Sequence, residues 1–504
     1  MKQEKSRVKT NWKAVGWRFV GVVTEYCQSC SLAGFSYIAN HNLHFTERLF
    51  WVLCIIVSTV GVYHLISQYQ RDFTSRAVSI VHESLSPFAK VKFPTISVCE
   101  LRFKTDFPRN VEEYVESLGT DLNDPYNWEV ESYLSFVLFP YQYTTGMFVR
   151  CQPYEQCEKC AKCPKTDYRN LSLRFGFNCS DLFIRCTLAD KEFDCCTYFL
   201  PMITPFGRCF LFNSLQNNHP ESKNWLPAIL DRSSHLEMDL HLTRAALVSV
   251  LNEEDVPNIP LPTVDVIVLE GQHKTLQFHR ETMVNDPGMR DIPIAARDCY
   301  FPDEVMPWSM YKAYSFSACI SDCTRLYQME LCNCSVYNMS PYPDPRYPDC
   351  DFNGYLCLES SSMVKQDVKR LFRINSPTLH CHCLPSCTEG DLKSIFEDQI
   401  RCVSLLSLSA YSHLLCLLVS PSTKRNVRET NVTLLMPVWP TDQYRRQVLR
   451  SKLDVVVSIG GILGLFLGAS ILSAIEFVYH FTLRAANTSL MARRELKQAA
   501  IKFK

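Results

Sequence analysis

Two long apolar runs constrain this chain more than any other feature. Leu49–Tyr69 holds 21 residues with no acid, Lys or Arg, and as a helix it rises roughly 31 Å, the thickness of a bilayer's hydrocarbon core. Val455–Leu483 holds 29 residues between Asp454 and Arg484, and Glu476 is its one formal charge. A buried core helix is the competing reading, but these runs exceed the usual length of one. A cleaved signal peptide does not fit the first run, which starts at residue 49, lacks a small-residue cleavage site and is too long for an apolar h-region. A third run, Val403–Ser420, is diluted by five serines, Tyr411, His413 and Cys416, and a third span would put the chain ends on opposite sides.

The flanking charges set the orientation. Residues 1–48 carry seven Lys/Arg against three Glu, and residues 484–504 carry six against one. Both ends therefore read as cytoplasmic, which leaves residues 70–450 outside. The formal net charge is zero, so the outer part is net acidic, and an acidic surface concentrates cations near a pore mouth. The balance gives no sign of nucleic-acid binding.

Cysteine usage agrees with this orientation. Of 25 cysteines, 22 lie between Cys99 and Cys416, too many for an ordinary cytosolic domain. Sequons at Asn170, Asn178, Asn333, Asn338 and Asn431 fall in the same segment, and a sixth at Asn487 falls in the tail. Val91–Cys99 reads as a strand, with Pro94 placing it at a sheet edge or at the strand's beginning. Ten cysteines crowd the stretch from Cys299 to Cys387; Cys319 and Cys323 are one helical turn apart, and Ser317–Leu331 suits that helix. Two helices stapled side by side follow. Cys157, Cys160 and Cys163 have zinc-like spacing, but outside the cell disulfides are the default.

Catalytic signatures are missing: there is no HExxH, no Gly-x-Ser-x-Gly and no phosphate loop. We expect no enzyme, no catalytic or metal site and no cofactor. The chemistry gathers instead in the second run. Gly460, Gly464 and Gly468 are spaced by four, with Gly461 beside them. This suits close helix packing or a narrow pore wall where backbone carbonyls face ions. A carboxylate inside a span rarely faces lipid. On a continuous helix Glu476 shares a face with Ala469 and forms a ring in a symmetric oligomer; a snorkelling interfacial acid is the other reading.

The run Gly460-Gly-Ile-Leu-Gly-Leu-Phe-Leu-Gly-Ala-Ser-Ile-Leu-Ser-Ala-Ile-Glu476 resembles the pore signature of the epithelial sodium channel/degenerin family. Phe93–Cys99 is similar to the family's strand after the first span, and Gly207–Asn213 to its Gly-x-Cys-x-x-Phe-Asn strand. The Cys299–Cys387 spacing resembles its thumb, and Ser31-Leu-Ala-Gly34 stands where an amino-terminal His-Gly motif is expected. Glu47–Trp51 and Tyr479–Arg484 resemble the insect pickpocket branch.

The resemblance implies an α+β membrane protein with two transmembrane helices and a large disulfide-rich ectodomain of palm, β-ball, finger, knuckle and thumb. It implies a homo- or heterotrimer with related channel subunits in membrane lipid. The pore is then sodium-selective, voltage-independent and amiloride-sensitive, with Na+ as the permeant ion. Gly468, Ala469 and Ser470 become the selectivity belt, which in the family interrupts the second helix, with Gly464 and Glu476 lining the pathway. Gly34, Val457 and Ser458 become gating positions. The family's pairing implies Cys299–Cys387, Cys319–Cys383, Cys323–Cys381, Cys332–Cys357, Cys334–Cys350, Cys99–Cys209 and Cys186–Cys195. Cys151, Cys157, Cys160, Cys163, Cys179, Cys196, Cys402 and Cys416 are left without assigned partners.

The chain departs from the family in three places. Ala33 replaces the histidine that supports opening, Val457 replaces a small residue beside the gate, and residues 401–427 match no family feature. Ala33 motivates an auxiliary, non-conducting subunit as the alternative; a pore-less membrane receptor and an ectoenzyme are the readings from other classes. Two-span ATP-gated trimers share the topology but not the cysteine pattern. The extracellular ligand or stimulus is not legible in the sequence.

Overall fold

The computed structural model describes residues 12–101, 113–117, 133–139, 164–258, 264–361, 382–397, 430–449 and 452–494, apart from isolated positions within them. Cys151, Cys157, Cys160, Cys163, Cys381, Cys402, Cys416 and residues 401–427 lie outside this set. The chain divides into two compact units, one formed by the two ends with residues 287–297, the other by residues 80–286 and 298–446.

The larger unit is mixed α/β. A five-stranded antiparallel sheet runs in the order Val264–Val268, Ala246–Leu251, Thr95–Glu100, Gly207–Phe212, Phe199–Thr204. Thr95–Glu100, with β-branched Thr95, Ile96 and Val98, is buried at every position, the pattern of a strand covered on both faces. It is central in the sheet, not at an edge. Pro94 precedes it, so the missing N–H falls just before the ladder begins. A second, eight-stranded mixed sheet contains Phe183–Leu188, Glu237–Leu242, His273–Asn285, Asp391–Glu397, Thr430–Leu435 and Asp442–Val448. In Glu237–Leu242 burial alternates residue by residue, so one face of the strand meets the core. Phe93, Phe183, Phe199, Phe210, Phe212 and Phe278 fill the core of this unit with aliphatic neighbours.

Helix Phe316–Cys332 starts where Ser315 Oγ accepts from the Ala318 N–H and ends at Asn333 with φ 54°, a capped beginning and a left-handed stop. The cysteines around it are joined as Cys319–Cys383, Cys332–Cys357, Cys334–Cys350 and Cys299–Cys387. Cys323 is disulfide-bonded, and Cys381, its expected partner, lies outside the described residues. Elsewhere the bonds are Cys99–Cys209, Cys186–Cys195 and Cys179–Cys196; the last pair had no assignment from sequence. The second helix of the expected stapled pair, Phe352–Ser360, is about half the length of the first. The Arg169 guanidinium, nearly buried, donates to both Asp349 oxygens at 2.6 and 2.7 Å and to the Tyr337 and Ser340 carbonyls, which ties helix Tyr168–Phe175 to this region.

One sequon is overturned by packing. Asn338 is buried and its Nδ2 donates to the Pro205 carbonyl at 2.8 Å, so the atom that would carry a glycan is inside the fold. Asn431 is half-buried within the central strand Thr430–Leu435. Asn170, Asn178 and Asn333 are exposed.

Three acids meet where helix Phe316–Cys332 begins. Glu254 Oε1 accepts from Ser386 and Thr388 hydroxyls at 2.8 and 2.7 Å, Asp255 accepts from Ser317 and Asn252, and Glu389 accepts from the Ser386 N–H. Burial, then the charge of Glu389, pushes Asp255 up to about 6; burial also raises Glu254 and Glu389. The neutral acids are thus favoured in the folded state. Above about pH 6 the charged forms weaken the fold, and the penalty is relieved as pH falls from there toward the unfolded value near 4. The melting temperature of the larger unit is therefore expected to rise as pH falls from 7 to 5. Asp255→Asn is expected to raise it at pH 7 and to flatten that rise; a melting temperature that falls over this window in wild type contradicts the reading.

The smaller unit is helical. Phe45–Arg71 is long and apolar enough to cross a membrane, and its helix runs from Phe45 to Ser75, beyond both limits of the expected 49–69 run. Lys452–Leu467 and Ile471–Tyr479 are separate helices, and the second apolar segment is long enough to cross a membrane only if Leu453–Leu467 and Ile471–Thr488 form one span across a 72° bend. The shared face of Ala469 and Glu476, which needs a continuous helix, therefore does not hold; the helix is interrupted between Leu467 and Ile471, as the family likeness implied.

Candidate ion-conduction site

The break falls at Gly468-Ala469-Ser470. Gly468 has φ +63°, a left-handed conformation that only glycine adopts without strain. Its N–H donates to Gly464 O at 3.0 Å, and Ala469 N–H reaches back to Leu463 O at 3.3 Å. Ser470 then caps a new helix: its Oγ accepts from Ser473 N–H, and Ser473 Oγ accepts from Ser470 N–H, each at 3.2 Å. The small residues are thus a turn with its own capping, and it stops one helix and starts the next.

A helix that stops inside an apolar segment leaves carbonyls without partners. The amino-terminal segment supplies one: Ala33 N–H donates to Leu467 O at 3.0 Å. More contacts follow in antiparallel order. Ser31 Oγ meets Ser473 Oγ at 2.7 Å, and Ser31 N–H donates to Glu476 Oε2 at 3.1 Å. Ser29 Oγ faces His480 Nε2 at 3.4 Å. The Tyr26 ring packs on Phe477, His480 and Phe481 with centroids 5.4 to 5.7 Å apart, and Glu25 pairs with Arg484. Residues 25–33 therefore line the chain from the break to the π-helical turn His480–Arg484.

Gly34 makes this docking possible. With φ +89° it reverses the chain between helix Trp12–Ser29 and the short helix Phe35–Ala39. An added Cβ there would lie 3.3 Å from Trp51 and Ile55. Gln28 Nε2 donates to Ala39 O at 3.2 Å, and Tyr37 stacks on Trp51 at 4.5 Å. Gly61 on the long helix gives room to Phe466, whose ring edge would be 3.0 Å from a Cβ.

Of the residues singled out from sequence, Gly468, Ala469 and Ser470 are gathered at the break, and Glu476 lies two turns beyond it. Gly464 is one turn before the break, with Ala469 O 3.6 Å from where its Cβ would be. Val457 is exposed and Ser458 half-buried in the first half of helix Lys452–Leu467; neither touches the break. Gly34 belongs to the docked segment. Sequence reasoning missed Ser29, Ser31, Ser473 and His480, because single hydroxyls and a lone imidazole carry no pattern. The described residues hold one three-cysteine group close enough for a metal, Cys319, Cys323 and Cys383, and disulfide bonding already occupies it.

A disulfide-rich α/β unit, together with a helical unit carrying one long apolar helix and one apolar pair broken at small residues, suits a membrane protein. The chain belongs to the amiloride-sensitive sodium channel family, whose model matches residues 26–480. It is similar to pickpocket protein 19 of Drosophila melanogaster, 20% identical over 86% of each chain. Pickpocket protein 28 of the same fly is 21% identical over 94% of this chain and 80% of its own. Acid-sensing ion channel 1A of Danio rerio is 22% identical over 90% and 86% respectively.

Proposed function

We propose that this chain forms the conducting pore of a voltage-independent, amiloride-sensitive sodium channel in the plasma membrane, as one subunit of a homo- or heterotrimer. Each subunit crosses the bilayer twice, with residues 49–69 and with the broken segment 455–483. Both termini are cytoplasmic, residues 70–450 are outside, and an extracellular stimulus opens the gate. Gly468, Ala469 and Ser470 select the ion, Gly464 and Glu476 line the pathway, and Gly34, Val457 and Ser458 act in gating. The chain works without a cofactor and catalyses no reaction.

The observation that carries this reading is the glycine-dependent break at Gly468 braced by Ala33. Selection of small cations needs close, fixed oxygen ligands. Glycine, alanine and serine leave carbonyls and a hydroxyl at the turn, and the hydrogen bond to Leu467 O holds the turn in place. The absent histidine at Ala33 favours one second reading, an auxiliary subunit that conducts only beside a relative.

Whole-cell recording decides between the two, with the chain expressed alone and with pickpocket-type subunits. Inward current that vanishes when sodium is replaced, and that amiloride blocks, is expected from the chain alone. Current only in co-expression, with a selectivity that Ser470→Asp in this chain leaves unchanged, supports the auxiliary reading; the same current with altered selectivity supports a conducting heterotrimer subunit, and current in neither contradicts both. If the chain conducts, Val457→Ala is expected to lower the resting current, because a large side chain at this position favours the open gate; an unchanged or larger resting current removes Val457 from gating.

A further inference from the structure

Cys27 and Cys30 stand at the end of helix Trp12–Ser29, and neither is in a disulfide. Both are half-buried, so small reagents reach them. Cys30 N–H donates to Tyr26 O at 2.8 Å, which continues the helical turn through Cys30, and Cys30 Sγ donates to Cys27 O at 3.6 Å. The two thiols are therefore neighbours on one turn, with Cβ atoms roughly 5–6 Å apart in such geometry. A disulfide needs about 3.8 Å, so closing one tightens the turn. The next residue is Ser31, which holds Ser473 and Glu476. Any tightening at Cys30 acts directly on that contact.

On the proposed topology this segment is cytosolic, where disulfides are transient and redox-sensing rather than structural. We infer that Cys27 and Cys30 form a vicinal dithiol site that is closed to an intramolecular disulfide by exchange with a glutathione-type disulfide. Closing it draws Ser31 away from Ser473 and Glu476 and lowers sodium current. Either thiol can begin the exchange, here Cys30. The Cys30 thiolate attacks the small disulfide and one glutathione leaves as the thiolate. The Cys27 thiolate then attacks the mixed disulfide and the second glutathione leaves. The cysteine pair loses two electrons, glutathione disulfide gains them, and the two thiol protons end on the released glutathiones. A thiol reductant reverses the step.

The effect on current rests on the pore reading, whereas formation of the bond does not, so the test has two arms. In the first, purified full-length protein is treated with glutathione disulfide, free thiols are blocked, and peptides are mapped without reduction. The wild-type peptide carrying Cys27 and Cys30 should be two hydrogens lighter and unblocked, while Cys27→Ser and Cys30→Ser should retain a glutathione adduct or the blocker. Both thiols still blocked in wild type, or either found as an acyl thioester, overturns the site. In the second arm, glutathione disulfide on the cytosolic face of excised patches should lower wild-type current several-fold, with recovery in dithiothreitol. Cys54→Ser should keep this response and Cys30→Ser should lose it. A disulfide that forms without changing an established current overturns the coupling through Ser31. Absence of any sodium current bears on the pore reading alone, and the peptide masses still decide the dithiol.

Discussion

Gly468→Val is expected to abolish sodium current while the protein still reaches the cell surface. The backbone at Gly468 is left-handed, and a β-branched residue there is a strong outlier. An added Cβ would also stand 3.5 Å from Ala33 Cβ and 3.6 Å from Ala33 N, so the larger side chain displaces the brace that satisfies Leu467 O. Gly468 lies in the helical unit and the described disulfides lie in the other, which is why surface labelling should persist. Current of wild-type size from Gly468→Val, at equal surface density, rules out the turn as the constriction.

The second large effect is on folding. Gly390→Ala is expected to destabilise the larger, disulfide-rich unit by about 2–4 kcal/mol and to cut surface expression sharply. A Cβ on Gly390 would collide with the Glu281 carbonyl oxygen. That carbonyl belongs to the strand pairing of Glu281 with Asp391. Gly390 is also fixed through both of its backbone polar groups, which exchange hydrogen bonds with the Asn252 side chain at 3.2 and 3.3 Å. The backbone therefore cannot move away cheaply. Gly288→Ala is the matched control, since its Cβ would meet only Val448 Cγ2 at 3.5 Å. Thermal unfolding of the two variants separates them; equal melting temperatures contradict the packing argument.

Much of this was legible in the sequence. Length and the lack of charge marked the long helix, because a bilayer sets a length scale that few other environments impose. Helix Phe316–Cys332 was visible from two cysteines one turn apart and lies within a residue of the expected 317–331. The break at Gly468 was visible only through a family likeness, because glycine spacing alone fits close packing equally well. Two features were out of reach for physical reasons. The docking of Ser29 and Ser31 on His480 and Ser473 joins residues 451 and 442 positions apart, and hydroxyl contacts leave no periodicity to read. The burial of Asn338 depends on the Pro205 carbonyl, far away in sequence, so the sequon looked like its neighbours. Pro94 was read as marking a sheet edge or a strand's beginning, and it stands just before the strand Thr95–Glu100, because proline is excluded from a ladder's interior but not from the residue before it.

The central claim is that Gly468, Ala469 and Ser470 choose the ion. The most direct measurement is the reversal potential in mixed sodium and potassium solutions for wild type and Ser470→Asp, at matched surface expression. Wild type should reverse near the sodium equilibrium potential, and Ser470→Asp should shift toward the potassium potential, because a carboxylate replaces a hydroxyl at the turn. A Ser470→Asp channel that conducts normally with the wild-type reversal potential contradicts the assignment.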